Sequence, residues 1–104
     1  MNRRPAPVRE FYEPGRPFRK SLQRLPQPMK RELAAVIDEL LAGNLSAGRR
    51  YEKLDTGDDL YSVRLNRGYR FVFRLDPEGD GAWPIAVGPH DETYRRAFRS
   101  IRRR

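Results

Sequence analysis

The sequence predicts an α+β fold: a small antiparallel β-sheet with two N-terminal helices packed on one face and a further helix at the C-terminal end. Three patterns predict it. Apolar residues recur at helical spacing between residues 17 and 42, residues 60–75 alternate between apolar and polar side chains like the two strands of a hairpin, and helical spacing returns after residue 90. The predicted order of elements is therefore β-α-α-β-β-β-α.

The N-terminal part of the chain is predicted to hold one short strand and two helices. Residues 8–12 show the weak alternation of a strand. Pro17 suits the first turn of a helix, and Pro26 ends that helix. Pro28 then opens a second helix, which ends at Gly43. The apolar side chains are Phe18, Leu22 and Leu25 in the first helix and Met29, Leu33, Val36, Ile37, Leu40 and Leu41 in the second.

A hairpin is predicted in the middle of the chain, with residues 66–68 as its loop. Gly68 supplies the positive φ that such a loop needs, and this fixes the register of the strands. The predicted facing pairs are Leu65 with Tyr69, Arg64 with Arg70, Val63 with Phe71, Tyr61 with Phe73 and Leu60 with Arg74. Like charges that face each other destabilise a sheet, so Arg64 and Arg70 predict that an anion, such as phosphate, lies between them. Arg74 is predicted to be a surface residue.

The remaining segments are predicted to be a polar irregular stretch over residues 43–59, another strand over residues 83–87 and a final helix. Asp91 suits the N-cap of that helix, which runs to about Ile101. Its inner side is predicted to carry Tyr94, Ala97, Phe98 and Ile101. Because two helices cover only one face of a small sheet, the other face, with the hairpin arginines, is predicted to be open.

The length of the chain and its charge limit the classes of function. A chain of 104 residues predicts one domain over residues 1–104, in which residues 1–7 and 102–104 are expected to be flexible. The sequence has 22 Lys and Arg against 14 Asp and Glu, which gives a net charge of +8 and a pI near 10.6. We therefore expect an anionic partner: nucleic acid, a ribosome, an anionic membrane surface or an acidic protein.

The same composition excludes several kinds of site and location. No apolar run approaches the roughly 20 residues that cross a bilayer, and no hydrophobic segment follows the basic N-terminus. These absences predict a cytoplasmic protein without a membrane span. No cysteine is present, which excludes disulfides and thiol catalysis. One histidine and scattered carboxylates predict neither a metal site nor a cofactor.

Four segments carry a resemblance to a known superfamily. They are Phe18-x-x-Ser21-Leu22-x-x-Leu25-Pro26, Leu60-Tyr61-Ser62-Val63-Arg64, Gly68-Tyr69-Arg70-Phe71-Val72-Phe73 and Val87-Gly88-Pro89-His90. In order and spacing they resemble the RelE/ParE toxin superfamily, whose members are the toxin halves of bacterial toxin–antitoxin pairs. The resemblance implies the fold above and a cognate antitoxin as protein partner. RelE-like members resemble ribonucleases that cut messenger RNA on the ribosome, whereas ParE-like members act on DNA gyrase.

The nearest likeness is to the YoeB-type ribonucleases of the RelE branch, and it implies three catalytic residues. The Glu-x-Leu segment of that family matches residues 52–54, so Glu52 would be the base that deprotonates a ribose 2′-hydroxyl. The arginine that opens the next strand matches Arg70, which with Arg64 would stabilise the charge on the phosphate. The histidine after the Ile-Ala strand end matches His90, which would be the acid for the leaving oxygen.

Two further residues are implied as substrate contacts. Lys53 would be a second phosphate contact, a role that lysines in this segment serve in other RelE-like enzymes. The family's tyrosine directly after the histidine is absent, because Asp91 stands there. Tyr94, one helical turn beyond, is the residue that could place an aromatic ring or a hydroxyl in the same region.

Plainer roles and other functions fit the same residues. His90, followed by three polar residues, fits a helix cap or a turn, and Glu52, between basic neighbours, fits a solvated ion-pair partner. The leading hypothesis is a ribosome-dependent messenger RNA endonuclease that an antitoxin neutralises. The alternatives are a ParE-like gyrase inhibitor without catalytic residues and a noncatalytic basic domain that binds RNA or a partner protein.

Overall fold

Three helices and one five-stranded sheet make up the described part of the chain. The computed structural model describes residues 8–54 and 59–102. Its elements are β1 (Glu10–Phe11), α1 (Arg16–Gln23), α2 (Gln27–Ala42), β2 (Glu52–Lys53), β3 (Leu60–Asn66), β4 (Tyr69–Leu75), β5 (Gly81–Pro89) and α3 (His90–Arg102). The α+β class is confirmed, and β2 is added inside the stretch predicted to be irregular. The predicted flexibility of residues 1–7 and 103–104 lies outside the described residues, whereas Arg102 ends α3.

The strands lie in the order β1-β5-β4-β3-β2. The three pairs from β5 to β2 are antiparallel, as predicted. The exception is β1, which runs parallel to the start of β5, with Glu10 beside Gly81 and Phe11 beside Ala82. A strand with two paired residues is too short for its direction to be predicted from alternation, so the parallel edge was not foreseen.

The hairpin has the predicted register along its strands but a different turn. Arg64 faces Arg70, Val63 faces Phe71, Tyr61 faces Phe73 and Leu60 faces Arg74. Asn66, instead of Leu65, faces Tyr69, and the register shifts between Arg64 and Asn66 so that Leu65 is an extra residue of β3. Gly68 does not take a positive φ. The side chain of Asn66 closes the turn instead, because its Oδ1 accepts a hydrogen bond from the Gly68 N–H at 3.1 Å.

The first face of the sheet is covered by α1 and α2, as predicted. Pro17 lies in the first turn of α1, and a left-handed Gly43 ends α2. The buried core between these helices and the sheet includes Phe18, Leu33, Val36, Leu40, Val63, Phe71, Phe73 and Val87. Leu41 departs from the predicted stripe and is 43% exposed, because it lies about 100° around the helix from Leu40. No helix in residues 8–54 and 59–102 is long and apolar enough to cross a membrane.

The second face of the sheet is covered in large part by α3, so the prediction of an open face is wrong. A second buried core on this side consists of Leu54, Leu60, Val72, Ala86 and Ala97. The spacing of α3 predicted its apolar side but not the face of the sheet to which that side binds. Phe98, predicted to point inward, is 40% exposed, and the side chain of Ile101 lies outside the described part. Arg64 and Arg70, on the same face as this core, stay partly exposed.

Substituting Gly81 by alanine is expected to lower the free energy of unfolding by about 1–3 kcal/mol, because the added Cβ would overlap the phenol ring of Tyr12. That ring is held in place by the hydrogen bond that the Tyr12 hydroxyl donates to Asp76 Oδ2, at 2.9 Å. The matched control is Gly68→Ala, where a Cβ meets no atom within 4 Å. Urea denaturation of both variants is the measurement, and equal losses would contradict the packing argument.

Arg49, in the loop before β2, connects α2 to the bulge in β3. Its Nη1 donates to Glu32 Oε2 at 2.9 Å and to the Leu65 carbonyl at 3.1 Å, and its Nη2 donates to Glu39 Oε2 at 3.0 Å. The side chain is 14% exposed, so these bonds form largely away from water. The bulge therefore has its own hydrogen-bond donor, and the sheet edge that carries β2 is attached to α2.

The stability of the fold is expected to fall in acid through Glu39. Hydrogen bonding from Arg49 lowers the pKa of Glu39 below its ordinary value, against the effect of burial. The unfolded chain thus binds more protons than the folded one, and this contribution to stability, complete above the unfolded pKa of about 4.3, is lost as pH falls through the folded pKa. We expect Glu39→Gln to flatten the acid limb of a plot of unfolding free energy against pH. Parallel curves for the two proteins would refute the linkage.

Candidate functional site

Polar side chains from the sheet and from α3 meet on the second face, next to the hairpin turn. Pairing of β2 with β3 sets Glu52 beside Ser62 on this face, and Arg64 and Arg70 follow one step nearer the turn. The helix α3 starts at the same end of the sheet, because the His90 N–H donates to the Gly68 carbonyl at 2.8 Å. Its first turns therefore pass over these strand residues.

Tyr94 links α3 to both strands through its hydroxyl. That hydroxyl donates to Glu52 Oε1 at 3.2 Å and lies 2.9 Å from Ser62 Oγ. A phenol has one hydrogen and an ionised carboxylate can only accept, so the Ser62 hydroxyl donates to Tyr94 and Tyr94 donates to Glu52. Burial raises the pKa of Tyr94, and the charge of Glu52 raises it further, against the Ser62 hydrogen bond. Tyr94 thus stays a neutral donor at physiological pH.

His90 lies against the same tyrosine. The centroids of the His90 and Tyr94 rings are 4.4 Å apart, and His90 Nδ1 is 3.0 Å from Asp91 Oδ1. A histidine whose Nδ1 faces a carboxylate keeps its proton there and leaves Nε2 for other chemistry. Glu52 and His90, which come from distant parts of the sequence, are therefore brought together by contact with one side chain.

Arg64 and Arg70 face each other across the hairpin, and a backbone oxygen lies between their guanidinium groups. Arg70 Nη1 and Arg64 Nε both donate to the Asn66 carbonyl, at 3.0 and 3.3 Å, and Arg70 Nη1 also donates to the Tyr69 carbonyl at 3.0 Å. Among the described residues neither guanidinium forms an ion pair with a carboxylate. Two positive charges therefore lie one register step from Glu52, and neither is paired with a carboxylate of the described residues.

Lys53 does not join this group. Strand alternation places it beside Tyr61 on the first face, opposite to the face of Glu52. Ser62, by contrast, belongs to the site and was not predicted, because its position follows from the pairing of β2, a strand that the sequence pattern did not indicate. In the ranges 8–54 and 59–102, no three carboxylate or histidine side chains are grouped as a bound metal ion requires.

Known structures share this architecture. The chain resembles the RelB–RelE antitoxin–toxin complex of Methanococcus jannaschii with a TM-score of 0.63 and 18% identity, over 79% of this chain and 94% of the other. It resembles the archaeal RelE–RelB complex of Pyrococcus horikoshii with a TM-score of 0.57 and 26% identity, over 79% of this chain and 93% of the other. It resembles the RelBE2 toxin–antitoxin complex of Mycobacterium tuberculosis with a TM-score of 0.52 and 24% identity, over 80% of this chain and 98% of the other. No family model and no curated protein matches the sequence. The fold is therefore RelE-like.

Proposed function

We propose that this chain, which has the fold of RelE toxins, is the toxin of a type II toxin–antitoxin pair and a metal-independent endoribonuclease that cuts messenger RNA on the ribosome. The observation that carries the proposal is the junction at Tyr94, which contacts both Glu52 and His90. Beside it lie Arg64 and Arg70, which form no ion pair with the described residues. A base, an acid and paired cations are the groups that cleavage of RNA by its own 2′-hydroxyl requires.

Each group has one step in the proposed reaction. Glu52 accepts the proton of the ribose 2′-hydroxyl as the 2′-oxygen attacks phosphorus. Arg70 and Arg64 donate hydrogen bonds to the phosphate oxygens as their negative charge increases. Protonated His90 gives a proton from Nε2 to the 5′-oxygen as the P–O5′ bond breaks, which leaves a 2′,3′-cyclic phosphate and a free 5′-hydroxyl. The proton removed by Glu52 balances the proton supplied by His90.

Tyr94 is a positioning residue in this scheme, and Tyr94→Phe is expected to lower the cleavage rate. A hydrogen bond to a charged group contributes about 1.5–3 kcal/mol. Loss of the hydrogen bond from Tyr94 to Glu52 is therefore expected to lower the cleavage rate about ten- to a hundredfold. Tyr61→Phe is the control: Tyr61 lies in β3 on the first face of the sheet, away from the site, and this variant should cleave at nearly the wild-type rate. The measurement is the single-turnover rate of cleavage of a ribosome-bound message. Equal rates for the two variants would show that the Tyr94 hydroxyl does not position Glu52.

The experiment that tests the function maps new RNA 5′ ends in a defined translation reaction that contains ribosomes, one messenger RNA and this protein. Cleavage within the codon at the ribosomal A site, lost with Arg70→Ala and with His90→Ala, would support the nuclease. Intact RNA would reject it. Inhibition of DNA gyrase that persists when Glu52 and His90 are substituted would favour the ParE-like alternative, since that function does not need this pair.

A cognate antitoxin belongs to the same proposal. The structures to which this chain is similar are complexes of a RelE toxin with its RelB antitoxin. The net charge of +8 supports an acidic partner for this chain as well. Because the proposed substrate is messenger RNA on the ribosome, we expect the protein to act in the cytoplasm. Growth arrest on expression of the chain alone, relieved when the partner is co-expressed, is the expected result.

A further inference from the structure

A cavity of about 690 Å³ lies between α1, α3 and the strands β3, β4 and β5, apart from the candidate site. None of the side chains of the candidate active site lines it. Its wall is largely aliphatic and includes Leu60, Pro84, Ile85 and Ala97. Its rim is cationic, with Arg16 and Lys20 from α1, Arg24 just after that helix and Arg99 from α3, against a single lining carboxylate, Glu13. Arg96 also lines the cavity, but it is paired with Glu92 at 2.6 Å. Its volume is in the range of sites that hold one compact ligand or a few side chains.

Arg74 contributes a further cationic side chain to the wall of this cavity. The sequence pattern predicts it as a surface residue, but the structure places its guanidinium 5.2 Å from the centre of the Trp83 ring. Its Nε is buried and has no hydrogen-bond partner in the described part of the chain. The side chain of Arg74 lines the cavity and forms no ion pair with a carboxylate of the described residues. It therefore adds an unpaired positive charge to the cavity.

The aromatic residues of the cavity argue against a nucleobase as that ligand. The Trp83 ring already contacts the Arg74 guanidinium and, 5.0 Å away, the Tyr12 ring. Phe18, the other aromatic lining residue, is buried in the first core. Bases bind single-strand sites by stacking on open aromatic faces, and this wall offers aliphatic groups instead. Carboxylates attached to an aliphatic body fit both the wall and the rim.

We propose that this cavity is a docking site for an acidic, aliphatic segment of a partner protein. An aliphatic side chain of the segment binds against Leu60 and Ile85. Flanking carboxylates pair with the cationic rim and with the Arg74 guanidinium. The inference rests on the proposed function only in that an antitoxin would supply the segment. The chemistry of the cavity is independent of RNA cleavage.

Trp83 is the only tryptophan of the chain and reports directly on the cavity. The full chain is titrated with short synthetic peptides built from leucine and glutamate, and with matched peptides that carry glutamine for glutamate. We expect a saturable change in Trp83 emission with the acidic peptides alone. Lys20→Glu should weaken their binding on the order of tenfold, whereas Arg31→Glu, an exposed cation of α2 outside the cavity, should change it less than about twofold.

Two results would overturn the docking site. One is no change in Trp83 emission with any acidic peptide up to about 1 mM, the weak limit of specific binding. The other is a change with single-stranded RNA, and not with the peptides, that Lys20→Glu abolishes, which would make the cavity part of a nucleic-acid surface. Circular dichroism of both variants shows that they are folded. Because neither ribosome nor message is present, failure of the docking site is distinguishable from failure of the nuclease.

Discussion

Replacing Glu52 by glutamine is expected to lower the rate of RNA cleavage by about two to four orders of magnitude, the usual contribution of a positioned general base. Glutamine keeps the size of the side chain and an oxygen that can accept the Tyr94 hydrogen bond, but it cannot take the proton of a 2′-hydroxyl. The measurement is the single-turnover rate on a ribosome-bound message. The product ends are mapped at the same time.

The neighbouring residue provides the control for this prediction. Lys53→Gln also changes one charge, one position along the strand, but on the opposite face of the sheet. It should change the rate less than about threefold, since an exposed lysine outside the site acts only through screened charge. If both variants lost activity equally, the strand would be important as a whole and Glu52 would not be the base.

Replacing Arg49 by alanine is expected to lower the free energy of unfolding by about 3 kcal/mol, the lower end for breaking a buried ion pair. The substitution leaves the partly buried Glu39 carboxylate and the Leu65 carbonyl without their donor. The Glu32 carboxylate is more exposed and can form hydrogen bonds with water instead, so its separation from Arg49 adds little to the expected loss of unfolding free energy. Urea denaturation followed by circular dichroism measures the change.

Arg50→Ala is the comparison for Arg49→Ala. Arg50 is exposed and has a positive φ of 48° before and after the substitution, so its loss should alter the free energy of unfolding by less than about 0.5 kcal/mol. An equal loss in both variants would show that the loop depends on its charge. The hydrogen bonds of Arg49 would then not explain its stability.

The parts of the fold that could be predicted are those with a long periodic pattern. The second helix and most of the hairpin register follow from side chains repeated over several turns or pairs. The turn differed because one side-chain hydrogen bond, from Asn66, replaced the left-handed glycine that the loop length predicts. The face bound by α3 was missed because an amphipathic helix does not itself show which surface it will cover.

The candidate site was predicted by resemblance more than by pattern. Glu52, Arg70, His90 and Tyr94 were named from the likeness to a family, and the structure places Tyr94 in contact with two of them. Ser62 was missed, and Lys53 was expected as a phosphate contact although it lies on the face opposite to Glu52, for one reason. Both positions depend on the register of β2, and two paired residues give no alternation from which to predict a register.

The division of the site between the sheet and α3 has a consequence for synthesis of the chain. Glu52 and Arg70 lie on strands made early, whereas His90 and Tyr94 belong to a helix translated after every strand of the sheet. Domains generally fold as units during synthesis, so until α3 has left the ribosome the nascent chain lacks both the proposed acid, His90, and the positioning residue Tyr94. The proposed nuclease would thereby be inactive during most of its own translation.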